Sequence, residues 1–341
     1  MKILAINGGS SSFKCRLDEI ASDPPSAPPA PVWQMHFDLA PGALARALRS
    51  IPARVDCIGH RIVHGGAKYR QTTRITGAVR AAIAAEAEVA PAHNRFELEA
   101  IQCAEDIFGD VPQFAVFDAS FHRTLEPAAY VYPGPYEWLS EGIRRYGFHG
   151  VSFQYASRRA AEILGGQPRL ILCHLGNGAS VAAVRDGKSV DTSMGFTPLE
   201  GLMMGTRSGT IDPAILIYLI RHRGYTAAQL DEILNRQSGL LGISGVSSDM
   251  REILKAIESG NERARLAFDI YAHRLCRAIG AMAAVLGGAD AIVFTGGVGE
   301  NCELLRDIVT RQIAFLNAQV LVIHAEEEWE IARECYRNNR A

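Results

Sequence analysis

Two short stretches put glycine, Asn and Ser at the tip of apolar runs: His174-Leu175-Gly176-Asn177-Gly178-Ala179-Ser180 and Asn7-Gly8-Gly9-Ser10-Ser11-Ser12. Glycine lets the backbone approach a ligand closely, and the N–H groups of a tight turn converge on an anion. Both turns are explained if the anion is a nucleotide phosphate. One turn of this kind reads as a plain hairpin; two in matching positions shift the reading towards function. Context rules out the common nucleotide loops. A dinucleotide G-x-G-x-x-G leads from strand into helix, whereas each turn here leads into a second strand. The G-x-x-x-x-G-K-[ST] pattern is absent. Asp118, at the end of the apolar run "QFAVFDAS", is a third group to explain, because a carboxylate there is costly unless it has a partner or a task.

Elements must hold these groups. Residues 3–19 and 169–192 each read as strand, turn, strand, the second with a tight hairpin signal at Asp186-Gly187. Residues 21–31, "ASDPPSAPPAP", carry five prolines and read as a surface loop, neither helix nor central strand. Residues 54–66 form a short apolar strand with a polar end. Apolar spacing predicts helices over 77–90 and 96–108. In the second half, helices are expected near 212–222, 226–235 and 249–259, with a long one over 261–287. A strand then ends in "GGVGEN" and leads into a helix. A last amphipathic helix lies within 326–339. Each half opens with a hairpin and finishes with a strand that ends in polar residues, which is an internal duplication of architecture.

The bulk numbers bound the answer. The 341 residues are 48% hydrophobic and 21% charged, ordinary for a globular chain with a large core, and the length fits two domains. A net charge of -2 gives no basic field for nucleic acid or an anionic membrane. Seven cysteines with no C-x-x-C pair read as reduced cytosolic thiols, not a disulfide framework or zinc site. No apolar run reaches membrane-spanning length, and the start is too polar for a signal peptide. The expected location is cytoplasmic.

The stretches "INGGSSSFK", "GHRIVHGG", "APAHN", "VFDASFH", "RRYGFHGVS", "CHLGNGASV", "VDTSMGFTPLEGLMMGTRSG", "IDPA", "SGLLGISGVSSDMRE" and "VFTGGVGEN" run in order along nearly the whole chain. In this they resemble the acetate kinase family, of the acetate and sugar kinase, Hsp70 and actin superfamily. The longest of them is highly specific. The resemblance implies an α/β fold of two duplicated ribonuclease-H-like domains with a nucleotide cleft between them. The expected division is 1–118 with the terminal helix 325–341, against 119–324. It also implies reversible phosphoryl transfer from ATP, with Mg2+, to acetate giving acetyl phosphate, and a homodimer. A kinase for propionate or another short carboxylate is the rival within the class. An ATP-binding module without turnover is the rival outside it, and the joint presence of Arg61, Asp118, His149 and Arg207 speaks against that.

Roles follow from the resemblance residue by residue. Asn7 and Glu327 would meet the metal. Glu327 falls in "HAEEEWEIAR", where the family has a Pro-Thr-Asn-Glu-Glu pattern, so Glu326 and Glu328 stay open as alternatives. Lys14 would bind ATP. Arg61 would hold the acceptor carboxylate, which a planar guanidinium grips with two hydrogen bonds. Val63, Ala92, Phe148 and Pro198 would wall the acceptor's alkyl part. Asp118 would be the active-site acid, acting on the acceptor carboxyl or through magnesium. His149 and Arg207 would steady the moving phosphoryl group. His174, Leu175, Gly176, Asn177 and Gly178 would form a second phosphate grip. Asp249, Met250 and Arg251, with Gly297, Val298, Gly299, Glu300 and Asn301, would line the adenosine pocket. The chain is shorter than is usual for the family, with segments missing after the first hairpin and before the final helix. Gly8 replaces a Ser, Phe153 replaces a His, Ala92 replaces a Leu, and Arg95-Phe96 replaces a Pro-rich stretch.

Overall fold

The computed structural model describes residues 1–9, 12–38, 40–86 and 91–340, with the side chains of 91–95 outside the description. The chain forms two compact units. The first comprises Met1–Arg123, Phe148–Arg159 and Ala325–Ala341; the second comprises Thr124–Gly147 and Ala160–His324. The boundary expected at 118 therefore moves: residues 119–123 and 148–159 group with the first unit.

The first unit holds a six-stranded sheet in the order β3-β2-β1-β4-β6-β5. Its strands are β1 Lys2–Gly8, β2 Ser12–Glu19, β3 Trp33–Asp38, β4 Cys57–Ile62, β5 Thr73–Arg74 and β6 Gln113–Phe117. β1 pairs antiparallel with β2 and parallel with β4, and β4 pairs parallel with β6. Central strands covered on both faces must be apolar throughout. All of β6 is buried, as are residues 3–7 of β1. Leu4, Ile6 and Leu17 pack with Leu48, Ala100 and Ala104 from the helices Ala43–Arg49 and Pro91–Phe108. The last helix, Glu327–Asn339, lies against β1 and β4. Its close approach needs Gly59, where a Cβ would come 2.5 Å from both Cys335 Sγ and Ile331 Cγ2. That approach delivers the acidic start of the helix to the end of β1.

The second unit holds the sheet β11-β10-β7-β8-β9. Here β7 is Leu170–Leu175, β8 Ala179–Arg185, β9 Lys188–Thr192, β10 Ala291–Thr295 and β11 Gln319–Val322. The series β9-β8-β7-β10-β11 repeats β3-β2-β1-β4-β6 in order and in strand direction. The duplication read from the two hairpins therefore extends to five strands in each unit. Asp186 and Gly187 take φ values of 53° and 69°, as a tight hairpin demands.

Several elements differ from expectation. The helix expected over 96–108 begins at Pro91, because proline is well suited to a first helical turn. The helix expected over 77–90 ends at Ala85, and 87–90 lie outside the described residues. The strands β3 and β11 and the helices Ala43–Arg49 and Gly239–Ser244 were not anticipated. The Pro-rich stretch 21–31 is neither helix nor strand, yet it is pinned. Arg16 donates to Pro29 O at 2.7 Å, Arg158 to Ser26 O at 2.8 Å and Arg333 to Pro24 O at 3.0 Å.

Candidate active site

In the first unit the parallel register of β4 and β6 sets Ile62 beside Phe117, so Arg61 and Asp118 emerge from adjacent strands. Asp118 is 0% exposed. Arg61 answers the cost of burying that carboxylate: its Nε donates to Oδ1 at 3.0 Å and its Nη2 to Oδ2 at 2.5 Å. Burial opposes the Arg61 charge, but Asp118 and then Glu327 outweigh it and hold the guanidinium pKa above its ordinary value. The two-bond grip expected for a substrate carboxylate is thus taken by Asp118. Among the described residues Nη1 has only long contacts, 3.4 Å to Asn7 Oδ1 and 3.3 Å to Gly8 O.

Asn7, near the end of β1, links this pair to the last helix. Its Nδ2 donates to Glu327 Oε2 at 2.8 Å and to Glu328 Oε1 at 2.7 Å. Glu326 instead pairs with Arg16 at 3.3 Å. Burial, then the charge of Glu327, raises the Glu328 pKa, against the pull of Lys14 and Asn7. Lys14 itself is exposed on β2. Among the described residues no three His, Cys, Asp or Glu side chains cluster as a metal cage. The oxygens of Asn7, Glu327 and Glu328 nonetheless suit Mg2+, which takes one or two carboxylates and fills its shell with water and substrate phosphates.

His149 closes onto the same unit through a turn. Its φ is 58°, an unusual value for a non-glycine residue and one that clusters at functional sites. Next to it, a Cβ on Gly150 would lie 2.0 Å from the Asp118 carbonyl oxygen, so only glycine lets this turn rest against Asp118. The His149 ring stands edge-on to Phe153, centroids 6.5 Å apart. Phe148 is 1% exposed; its carbonyl accepts from His122 Nε2 at 3.1 Å and its ring lies 5.8 Å from that of His64. Val63, the residue before His64, is buried as well. Burial lowers the His64 pKa to about 4, which keeps that ring neutral. Ala92 lies within the helix Pro91–Phe108, but its side chain is outside the description.

The second unit gathers the remaining candidates. The turn after β7 closes with Gly176 N donating to Gly178 O at 2.9 Å. His174 precedes it, half-buried, and pairs across with Ser180. Gly205 N donates to Asn177 O at 3.0 Å, and a Cβ on Gly205 would come 2.2 Å from Asn177 Oδ1 and 3.0 Å from Ser248 O. The glycine turn, the "MGTRSG" segment and the start of the Asp249 helix therefore meet at Gly205. Two residues on, Arg207 Nη1 donates to Pro198 O at 3.0 Å. Asp249 caps the helix Met250–Glu258 and pairs with Arg251 at 2.5 Å, and that bond holds its pKa below the ordinary range. The helix Gly296–Asn301 contributes Gly297, Val298 and Gly299. A Cβ on Gly296 would approach Leu175 O to 2.9 Å, which seats this turn on the end of β7. Glu300 Oε1 accepts from Gly296 N at 2.8 Å, and Asn301 Nδ2 donates to Gly297 O at 2.8 Å.

In the first unit Glu328 stands in the sequence as an alternative to Glu327, while Glu97 lies in none of the motifs. Glu97 shares a helical stripe with Ala100, Ile101 and Ala104, and an acid on an apolar stripe was the available signal.

Known proteins match this arrangement. The model of the acetokinase family matches residues 39–326. An acetate kinase of Gloeobacter violaceus is 47% identical over 404 aligned positions, covering 100% of both chains. The solved acetate kinase of Porphyromonas gingivalis is 36% identical with a TM-score of 0.87, covering 98% of this chain and 99% of that one. The solved propionate kinase of Francisella tularensis is 34% identical with a TM-score of 0.86, at the same coverage. With two duplicated α/β sheets, the candidate groups gathered in each unit and matches along nearly its whole length, this chain belongs to the acetokinase family.

Proposed function

We propose that this protein is an acetate kinase: it moves the terminal phosphoryl group of ATP to acetate, reversibly, giving acetyl phosphate and ADP. The observation that carries the reading is the hydrogen-bonded chain Asp118–Arg61–Asn7–Glu327, with buried Val63 two residues after Arg61. Asp118 orients the guanidinium, and Nη1, held only by long contacts, is free to exchange them for an acceptor carboxylate. The alkyl end of the acceptor would meet Val63 and Phe148, with Ala92 as a further wall position. An acetate carboxylate is already ionised, so little base catalysis is needed. The chain's task is positioning and charge cancellation. His149 in the first unit and Arg207 in the second are each the kind of donor that serves the equatorial oxygens of a moving phosphoryl group. Asn7 and Glu327, with Glu328 behind them, would hold Mg2+, which when bound offsets phosphate charge. In the second unit, residues 174–178 grip phosphate, while 249–251 and 297–301 hold adenosine.

Ala92, where the family usually has Leu, favours a second acceptor, propionate. One methylene in an apolar pocket is worth about 1–3 kcal/mol, so the preference relaxes without switching. Acyl phosphate trapped as hydroxamate from acetate, propionate and butyrate tests both readings. Propionate approaching acetate in kcat/KM, with Ala92→Leu restoring the preference for acetate, is the expected result. Strong rejection of propionate that Ala92→Leu leaves unchanged contradicts the Ala92 assignment. The seven free cysteines fit a reducing cytoplasm, and the exposed apolar helix Pro213–Arg223 fits a homodimer.

A further inference from the structure

Glu97 enters the first unit from the helix Pro91–Phe108, on the stripe that also buries Ala100, Ile101 and Ala104. It is 4% exposed. Its Oε1 accepts from the Val63 backbone N–H at 2.9 Å, while its Oε2 is buried with no hydrogen-bond partner among the described residues. The charged groups acting on it are Arg61 from β4 and Asp118 after β6. His64, next to Val63, is held neutral by burial, and Glu327 of the last helix acts on Arg61. We propose that Glu97 is a positioning residue of the acceptor site that works as the neutral acid, fixing the Val63 backbone while leaving the charge of Arg61 to the incoming carboxylate. The proposal rests on the carboxylate-kinase reading above.

The physics has one sign. Arg61 already carries Asp118, and a substrate carboxylate is the second anion it must serve. An ionised Glu97 would be a third, buried and half-satisfied, and such a charge is costly. Burial pushes the Glu97 carboxyl up to about 8; the Val63 N–H and Arg61 oppose the shift, and Asp118 adds to it. Raising the pH past that value therefore weakens carboxylate binding. By linkage, binding a carboxylate raises the proton affinity of Glu97 and takes up a proton on the alkaline side. ATP binding has no such term.

Steady-state kinetics from about pH 7 to about pH 9.5, read as ADP release, test this. In wild type the acetate KM should rise, about tenfold for each unit of pKa coupling between the two sites, while the ATP KM stays level. In Glu97→Gln, which keeps the shape and the bond to Val63 but cannot ionise, the rise should vanish. A flat acetate KM in an active wild type, or the same rise in Glu97→Gln, overturns the proposal and leaves the kinase reading standing. Absence of carboxylate-dependent turnover at every pH overturns both. If Glu97→Gln does not fold, calorimetry of acetate binding to wild type near the alkaline limb, in two buffers of different ionisation enthalpy, decides. Proton uptake supports the proposal, and its absence overturns it.

Discussion

Arg61 and Arg207 carry the same guanidinium into different surroundings, and their loss should read out differently. Arg61 is the partner of a fully buried carboxylate. Removing one member of such a pair costs about 3–5 kcal/mol, so Arg61→Ala should lose stability in denaturant melts as well as raise the acetate KM. Arg207 is half-buried, with Pro198 O and Met204 Sδ among its contacts. Arg207→Ala should keep its fold while kcat drops by about 10²–10³-fold, the scale for losing one donor to transition-state charge. Near-wild-type turnover in Arg207→Ala would remove it from the transition state. Glu97 adds a pH dependence to stability itself. Its folded pKa of about 8 lies above the ordinary 4.5, so the native state holds a proton that the unfolded chain releases. Stability should then fall as pH rises between those two values, by at most about 1.4 kcal/mol per pH unit from this group, and Glu97→Gln should flatten the curve in urea titrations. At this scale a motif in the sequence names candidate residues. What it did not disclose was pairing. Arg61 read as a substrate grip, yet Asp118 occupies its fork, and no spacing rule reports that residues 57 apart share a bond.

Glycine, between elements, decides what can approach what. At Gly205 an added Cβ would strike Asn177 Oδ1 and crowd Ser248 O, so Gly205→Ala must turn the Asn177 side chain aside and shift the Ser248 carbonyl slightly. The expected outcome is a raised ATP KM with the acetate KM little changed, measured by varying each substrate in turn. Gly297, by contrast, has nothing within 4 Å of an added Cβ, so Gly297→Ala should leave the thermal unfolding temperature of the free protein where it is. The hairpins, the buried strands β6 and β10 and the long helix Glu262–Leu286 were readable because each has one strong period or one apolar run. β3 and β11 were not: they lie at sheet edges with mostly exposed residues, and a half-wet edge strand carries no clear apolar signal. Pro91 hid a helix start, since proline reads first as a breaker.

At the scale of the whole molecule, the duplicated sheet order was foreshadowed by the two glycine-tipped hairpins, while the return of residues 148–159 to the first unit was not. That return depends on Gly150 lying against the Asp118 carbonyl, a contact that no local pattern encodes. The helix Pro213–Arg223 buries none of its side chains within the chain and leaves Ile215, Ile217, Tyr218 and Ile220 46–50% exposed. An apolar face of this kind on a folded chain marks an association surface. Light scattering after size exclusion should give twice the chain mass, and Ile217→Glu with Ile220→Glu should shift it to one; a monomeric wild type would end the homodimer reading.

Phosphoryl transfer to a short carboxylate is the central claim, and phosphorus NMR tests it most directly. Purified protein with ATP, Mg2+ and acetate should convert the γ-phosphate signal of ATP into ADP and an acyl phosphate resonance in equal amounts, with no such conversion when acetate is left out. Release of inorganic phosphate alone, or an ATP spectrum unchanged by any short carboxylate, would contradict the account.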